Sequence, residues 1–156
     1  MSKNLSLLLG ILMLSQACIK SNEFEKNVSI RNHRWDFSYK PIIQFDIKDT
    51  TAAYKMYFNM RHSDAYPYSN IWLNIKTKKP NESTYTQMRV EVPLAEANGK
   101  WLGRGMGEIW EHQALLTSNG KIHYDKAGIY EIIIEQIMRT NPLPEVMSVG
   151  IRLEKM

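Results

Sequence analysis

Hydrophobic and polar positions alternate along most of the chain beyond residue 27. The clearest case is the set Tyr54, Met56, Phe58 and Met60, in which every second residue is apolar. In a β-strand, this period of two turns one set of side chains towards a core and the other towards water. Alternation or short apolar runs therefore predict strands over 42–47, 54–61, 71–76, 88–92, 113–117, 128–139 and 146–153.

The most apolar of these segments is the run over 128–139. Its length would allow a helix, but its high isoleucine content favours a strand, because β-branched side chains pack well on a pleated surface. A nearly continuous apolar run is typical of a strand that is buried on both faces. We therefore place it at the centre of a sheet, with Glu131 and Glu135 on the solvated side.

Turn residues separate the predicted strands. Asn98-Gly99 and Asn119-Gly120 are strong hairpin signals because both residue types tolerate positive φ. The Pro-containing segments 79–83 and 141–144 are predicted loops. Many short strands with frequent turns predict an all-β fold, a single antiparallel β-sandwich of the jelly-roll kind over residues 28–156.

The first residues have the character of a secretory signal. Lys3 precedes an apolar run from Leu5 to Leu14, which is too short to cross a bilayer as a helix. Cys18, the one cysteine of the chain, follows this run after Ser15, Gln16 and Ala17. We predict a signal peptide over residues 1–17 and a polar tether over 18–27, with no internal disulfide.

The end of the signal, Leu14-Ser15-Gln16-Ala17-Cys18, resembles a lipobox. Ala17 fits that pattern, whereas Ser15 departs from it. The resemblance implies cleavage before Cys18 and lipidation, palmitate included, of its thiol, and more than one acyl chain makes such an anchor stable. The segment 21–25 is similar to acidic export tags of surface lipoproteins, although it also fits a plain linker. The periplasmic or outer face of the membrane stays open.

Charge and composition exclude one class of partner. The formal net charge is +4, and the basic residues are scattered, with Lys76, Lys78 and Lys79 as the densest group. We interpret that group as a solvated loop. Proteins that bind nucleic acid concentrate their charge more strongly, so we expect no nucleic-acid partner.

No motif for catalysis or metal binding is present in the sequence. His33, His62, His112 and His123 lie far apart and form no pair with metal-ligand spacing. A Gly-x-Ser-x-Gly nucleophile motif is also missing. We therefore predict no metal, no cofactor and no enzymatic activity.

Two aromatic segments are the candidates for recognition. Gly103, Gly105 and Gly107 alternate between Trp101 and Trp110, which suggests a bent edge strand covered by the two tryptophans. The other interpretation is a docking surface, since tryptophan, tyrosine and arginine dominate interface hot spots. Stacked loop aromatics can also bind sugars. The candidate surface for a partner or ligand consists of Tyr66, Tyr68, Trp101, Arg104 and Trp110.

Together these features resemble the GldH family of gliding-motility lipoproteins. The resemblance covers essentially the whole chain and depends on the order of its motifs rather than on any one of them. Ile137 departs from it, since a small residue or histidine is expected there. The matching segments are the signal ending at Cys18, 66–73, 99–107, Tyr130 with 136–139, and 149–155.

The resemblance implies a lipid-anchored, non-enzymatic component of the gliding machinery and of the type IX secretion system to which it is tied. The expected location is the cell envelope, at the outer membrane, with other envelope proteins as partners. The resemblance supplies no catalytic residues. The alternative is a surface lipoprotein that binds carbohydrate through the aromatic residues.

Overall fold

The computed structural model describes residues 23–117 and 119–156, and the regular structure in this part of the chain is almost entirely β. This confirms the predicted fold class. The strands are β1 (Glu23–Ser29), β2 (Arg34–Trp35), β3 (Ile42–Ile47), β4 (Ala53–Ser63), β5 (Asn70–Lys78), β6 (Tyr85–Pro93), β7 (Arg104–Met106), β8 (Ile109–Leu115), β9 (Ile122–His123), β10 (Gly128–Gln136), β11 (Leu143–Pro144) and β12 (Val146–Lys155). A 3₁₀ turn spans Arg31–His33.

The strands form two main antiparallel sheets. Sheet 1 has the order β1-β12-β4-β8-β7, and β9 also pairs with β4. Sheet 2 has the order β3-β10-β5-β6. A short ladder of β2 and β11 adds a third element. The predicted antiparallel sandwich is confirmed.

The core lies between the two sheets, and aromatic rings join them. Phe24 of β1 packs on Phe45 of β3, with ring centroids 5.8 Å apart. Phe45 in turn stacks on Tyr130 of β10, at 5.7 Å. Trp35 is fully buried and donates its indole N–H to the carbonyl of Tyr39 at 2.8 Å, so its one polar atom has a partner. The alternation of apolar residues thus gives each sheet one face for the core.

β10 is an inner strand of sheet 2, as predicted, but it is not buried on both faces. Tyr130, Ile132 and Ile134 point into the core, whereas Ile129 is 53% exposed on the other side. The strand ends at Gln136, before the predicted end at residue 139. An apolar composition alone does not distinguish a strand covered on two faces from one covered on a single face.

The predicted tether is shorter than 18–27, because Glu23–Ser29 forms β1. This strand pairs with β12 over its whole length, from Glu23 opposite Glu154 to Ser29 opposite Ser148. Arg152 of β12 binds the carboxylates of Glu23 at 2.9 Å and Glu25 at 3.7 Å. These acids therefore stabilise the sheet edge. The predicted signal peptide and Cys18 lie outside the described residues.

Only one of the two predicted hairpin turns has that role. Gly99 has a φ of +87° in the turn that brings Ala95 opposite Trp101, as predicted. Gly120 also turns the chain, with a φ of +73°, but β8 and β9 on its two sides do not pair with each other. Both strands pair with β4, along the same edge, so the segment between them is an outward loop.

The lysine group predicted as a solvated loop lies largely in strand β5. Lys76 binds Glu135 at 2.9 Å, and Lys78 binds Glu131 at 3.0 Å. Both glutamates face outward on β10, but their side chains are only 12% and 14% exposed, because cations and amides cover them. These acids thus lie on the predicted outward face, but ion pairs and hydrogen bonds cover them there. Lys79 alone follows the strand, where it pairs with Asp125.

Candidate functional site

A cluster of histidine and aromatic rings lies where β4 and β8 run side by side. His62 ends the inward row of β4 and is fully buried, and His112 of β8 is nearly so. Their Nε2 atoms lie 2.9 Å apart. His62 Nδ1 lies 2.7 Å from the carbonyl oxygen of Ser63, which can only accept a hydrogen bond. In the neutral pair, His62 therefore carries its proton on Nδ1, and His112 Nε2 donates to His62 Nε2.

Both histidines are held in the neutral form. Burial lowers the pKa of His112 to about 4, and the adjacent His62 ring contributes to the same direction. Burial also lowers the pKa of His62, although its bond to Ser63 and the charge of Asp64 oppose the shift. Two cations at 2.9 Å would repel each other in a low-dielectric interior. Both nitrogens of His62 and the Nε2 of His112 are thus engaged within the protein rather than available to a ligand.

Two tryptophans of the cluster donate hydrogen bonds to the same carboxylate. Trp101 donates its indole N–H to Asp64 Oδ1 at 2.9 Å, and Trp110 donates to the same oxygen at 3.0 Å. Asp64 follows β4, Trp101 precedes β7 and Trp110 lies in β8, so the carboxylate links three parts of sheet 1. The Trp101 ring also meets His62 edge-on, with centroids 4.5 Å apart. The tryptophans are therefore fixed in position by the fold.

The glycines between these tryptophans allow close backbone approach. A Cβ on Gly103 would lie 2.5 Å from the carbonyl oxygen of Glu111 and 2.9 Å from the His112 ring. A Cβ on Gly105 would lie 2.9 Å from the Trp110 ring. Gly107 occupies the turn between β7 and β8 with a φ of +63°. The expectation of a bent edge strand covered by tryptophan agrees with this geometry.

The structure brings together four of the five predicted surface residues, but not as a sugar-binding platform. Tyr66 is 3% exposed, and its hydroxyl donates to the carbonyl of Asn70. The planes of Tyr66 and Trp101 are inclined by 53°, those of Trp101 and Trp110 by 42°, and those of Tyr66 and Tyr68 by 76°. Stacking on a sugar chain needs exposed faces in a common plane, and these rings do not form such a platform.

Arg104 lies apart from the rings, on the outer face of sheet 1. It is exposed and lines a cavity of about 330 Å³ together with Glu111, Gln113 and Arg152. β7 pairs with β8 through Arg104 opposite Glu111. The cavity contains charges of both signs and is lined mainly by polar side chains. Arg104 therefore belongs to a different surface from the tryptophans.

The described residues contain no group of three or more His, Cys, Asp or Glu side chains that could hold a metal ion. The buried histidines come closest to such a group, but they bind each other and the Ser63 carbonyl. The arrangement of the cluster is that of a packed unit that fixes the β7–β8 hairpin to β4.

A comparison with known protein families then assigns the chain. The sequence model of the GldH lipoprotein family matches residues 22–153, which include all of β1 to β11 and all but the last two residues of β12. The chain belongs to the GldH lipoprotein family. The match begins just before β1, so the GldH unit includes the strand that sequence analysis placed in the tether.

Curated relatives agree with this assignment. The gliding motility lipoprotein GldH homolog of Christiangramia forsetii is 30% identical, over 92% of this chain and 90% of that protein. The gliding motility lipoprotein GldH of Flavobacterium johnsoniae is 24% identical, over 98% of this chain and 97% of that protein. Both relatives match along nearly their whole length.

Among solved structures, a carbohydrate-binding module specific for non-crystalline cellulose is similar at 9% identity, with a TM-score of 0.42 over 85% of this chain and 73% of that one. A likeness at this level says nothing about what the GldH chain binds. Within residues 23–117 and 119–156, no helix has the length and apolar character needed to cross a bilayer.

His62 and Asp64 are the residues of this GldH chain that sequence reasoning overlooked. The inward-facing residues Tyr54, Met56, Phe58 and Met60 are two positions apart, and His62 is the next residue in this series. The period of two alone therefore indicates a buried histidine at position 62. Asp64 offers no such signal, because its partners lie 37 and 46 residues away.

Proposed function

We propose that the chain is a lipid-anchored, non-enzymatic component of the gliding motility machinery and of the type IX secretion system, located at the outer membrane. The observation that supports this role is the family match over residues 22–153, together with relatives named as gliding motility lipoproteins. The signal that ends at Cys18 supports the anchor.

The packing of the histidine cluster supports a non-enzymatic role. His62 and His112 bind each other in the interior and have lowered pKa values for the same reason, burial. General acid–base catalysis needs a titratable group within reach of a substrate. A buried pair that is covered by Trp101 and Gly103 does not offer one.

The anchor also orients the domain. Five residue steps separate Cys18 from Glu23, and an extended chain of that length reaches about 17 Å. A lipid on Cys18 thus keeps the Glu23 end of β1 close to the membrane. The opposite end of sheet 1, with Ser29, Ser63 and the β7–β8 turn, then faces away from it.

The role is tested by deletion of the gene in a gliding species and complementation with three forms of the chain: wild type, Cys18→Ala, and Ser21→Ala as a matched control next to the cysteine. We expect the deletion to abolish colony spreading and export of a type IX reporter. Wild type and Ser21→Ala restore both, whereas Cys18→Ala leaves the membrane fraction and restores neither. Normal spreading and export in the deletion strain would refute the proposed role.

Localisation has its own measurement. Intact cells that express the wild-type chain are treated with protease, and the chain is then detected in the outer-membrane fraction. Digestion in intact cells places the domain on the surface, and protection that disappears after outer-membrane lysis places it in the periplasm. Recovery in the inner membrane would contradict the outer-membrane assignment.

A further inference from the structure

A groove crosses the outer side of sheet 2 where β10 ends. Beyond Gln136 the chain continues beside β5: Ile137 N–H donates to the carbonyl of Trp72 at 3.0 Å, and Trp72 N–H donates to Met138 Sδ at 3.2 Å. Two cavities, of about 350 and 480 Å³, share Ile137 and Met138 as lining residues. We call their union the 137–138 groove. Its remaining lining residues are Phe37, Lys40, Tyr68, Trp72, Arg89, Glu135, Gln136 and Arg139.

The floor of the groove is rigidly held. The Gln136 side chain is 3% exposed; its Oε1 accepts from Met138 N–H at 2.9 Å and its Nε2 donates to the carbonyl of Trp35 at 3.2 Å. The hydroxyl of the lining residue Tyr68 binds Thr140 Oγ1. A site that is already formed loses little conformational entropy when a ligand binds.

Arg89 and Arg139 give the groove an excess of positive charge. Both are exposed, and neither forms a salt bridge with a carboxylate of the described residues. The Arg89 guanidinium lies 5.4 Å from the centroid of the Trp72 ring. A cation–π contact of this kind holds the guanidinium near the ring without using its N–H donors, which can then bind a carboxylate.

The nearby carboxylates form no salt bridge with these arginines, and the cations Lys40, Lys76, Arg89 and Arg139 outnumber the two acids Glu135 and Glu91. Glu135 binds Lys40 at 2.8 Å and Lys76 at 2.9 Å. Glu91 accepts from the Asn70 side chain at 2.6 Å. The groove therefore combines an apolar floor with two arginines that have no carboxylate partner in the described part of the chain.

We propose that the 137–138 groove binds an acidic peptide segment of a protein partner, with carboxylates on Arg89 and Arg139 and apolar side chains on Ile137 and Met138. Bidentate binding of a carboxylate is the interaction for which a guanidinium is best suited. The proposal rests on the proposed function, because the partner is then another protein of the cell envelope and the 137–138 groove is the surface that binds it.

The same geometry disfavours a sugar chain and a lipid surface. Arg89 lies over the Trp72 ring, which is the face on which a sugar would stack. The groove also lies far from the anchored end of β1. Phe24, next to Glu23, packs on Phe45, which stacks on Tyr130 of β10. Gln136, at the groove, is six residues beyond Tyr130 on the same strand, a distance of about 20 Å. The groove therefore lies at the end of sheet 2 that is distant from the anchored end of β1.

The binding test uses the full chain in detergent and a fluorescent, end-blocked peptide of alternating leucine and glutamate. The matched probe has glutamine in place of glutamate. We expect the acidic peptide to bind in a salt-sensitive manner and the glutamine peptide at least about tenfold more weakly. Arg89→Glu with Arg139→Glu abolishes binding. Lys48→Glu, which reverses an exposed cation just after β3, leaves it unchanged.

Two controls examine the other occupants. Polygalacturonate and vesicles that contain phosphatidylglycerol are titrated against the same variants. Equal affinity for the two peptides would overturn the proposal. It would also be overturned if polygalacturonate or the vesicles bound more tightly than the acidic peptide and this binding depended on Arg89 and Arg139.

A cellular test separates this inference from the proposed function. The deletion strain is complemented with the double variant or with Lys48→Glu, and the amount of each in the membrane is measured. We expect the double variant to reach wild-type levels without restoring spreading, whereas Lys48→Glu restores it. Full spreading with the double variant would refute the groove as a partner site, even though deletion of the gene still abolished spreading.

Discussion

The Nε2 atoms of His62 and His112 lie 2.9 Å apart inside the sandwich, and this contact joins β4 to β8 through two neutral rings. The register places Met60 opposite His112 and His62 opposite Trp110, so the two histidines are diagonal neighbours on the core face. Diagonal neighbours across a ladder are within reach of ring side chains. The contact is thus a consequence of strand pairing.

This pair predicts a loss of stability in mild acid. The unfolded chain takes up protons on these histidines below about pH 6.5, whereas the pKa of His112 is about 4 in the folded chain. Because the folded-state pKa is lowered, the contribution of the pair to the free energy of unfolding is complete above pH 6.5. It falls as the pH drops towards 4, by up to roughly 3 kcal/mol. Urea unfolding at several pH values in this window measures it.

One variant separates the pair from other titrating groups. His112→Gln retains an N–H donor for His62 but does not titrate, so we expect a shallower pH dependence. If His112→Gln showed the full wild-type slope, the pair would not be its source.

Glu135 predicts a second stability effect at an outward-facing position. Burial tends to raise its pKa, but hydrogen bonds from Lys40, Lys76 and Asn74 outweigh this and bring it to about 2. Glu135→Gln leaves two lysines without their carboxylate, and we expect a loss of about 1–2 kcal/mol at neutral pH. Because the folded-state pKa is lowered, this contribution disappears as the pH falls from about 4.5 towards 2.

The matched control for this change is Glu111→Gln. Glu111 binds Arg61 at 3.4 Å, and both side chains are about half exposed. An exposed pair of this kind contributes little, so the free energy of unfolding should change by less than about 0.5 kcal/mol. Equal losses in the two variants would show that the coverage of Glu135 has no special effect.

Strand alternation predicted most of the fold and only part of the site. The inward row of β4 follows from period two, and the same rule extends to His62. The partners of Asp64 do not follow from any local rule, because Trp101 and Trp110 reach it only after the β7–β8 hairpin packs beside β4. The sequence thus indicates which face a side chain occupies, but not its distant partner.

The errors in the strand predictions have the same origin. Asn119-Gly120 favours a turn by its local conformational preferences, but whether the flanking strands pair with each other depends on the free edge of β4. Ile129 lies in an apolar run, yet no element of the described chain covers it enough to bury it. Pairing and coverage are tertiary properties, and composition does not encode them directly.

The carboxylate of Asp64 predicts a third effect, on the tryptophans. Asp64→Ala removes the acceptor of both indole N–H groups, and we expect a loss of about 1 kcal/mol together with a change in tryptophan emission. Asp64→Asn keeps a carbonyl acceptor at the same place and should retain most of the wild-type stability. Wild-type emission and stability in Asp64→Ala would contradict a role for this carboxylate in fixing the rings.

Within the hairpin, we expect a small substitution to reduce the stability most at Gly103. A Cβ at this position would lie 2.5 Å from the carbonyl oxygen of Glu111 and 2.9 Å from the His112 ring. A backbone atom cannot rotate away as a flexible side chain can, so β7 and β8 would have to separate. We expect Gly103→Ala to lower the free energy of unfolding by about 2 kcal/mol or more, measured by urea unfolding.

The neighbouring residue supplies the control for this last change. Leu102 is 53% exposed, so Leu102→Ala removes a larger side chain at the adjacent position without a backbone clash. We expect it to cost less than about 1 kcal/mol. The contrast matters because side-chain size alone would rank the two variants in the opposite order. A Gly103→Ala protein as stable as Leu102→Ala would mean that the close approach of the two strands is not needed to hold His112 in place.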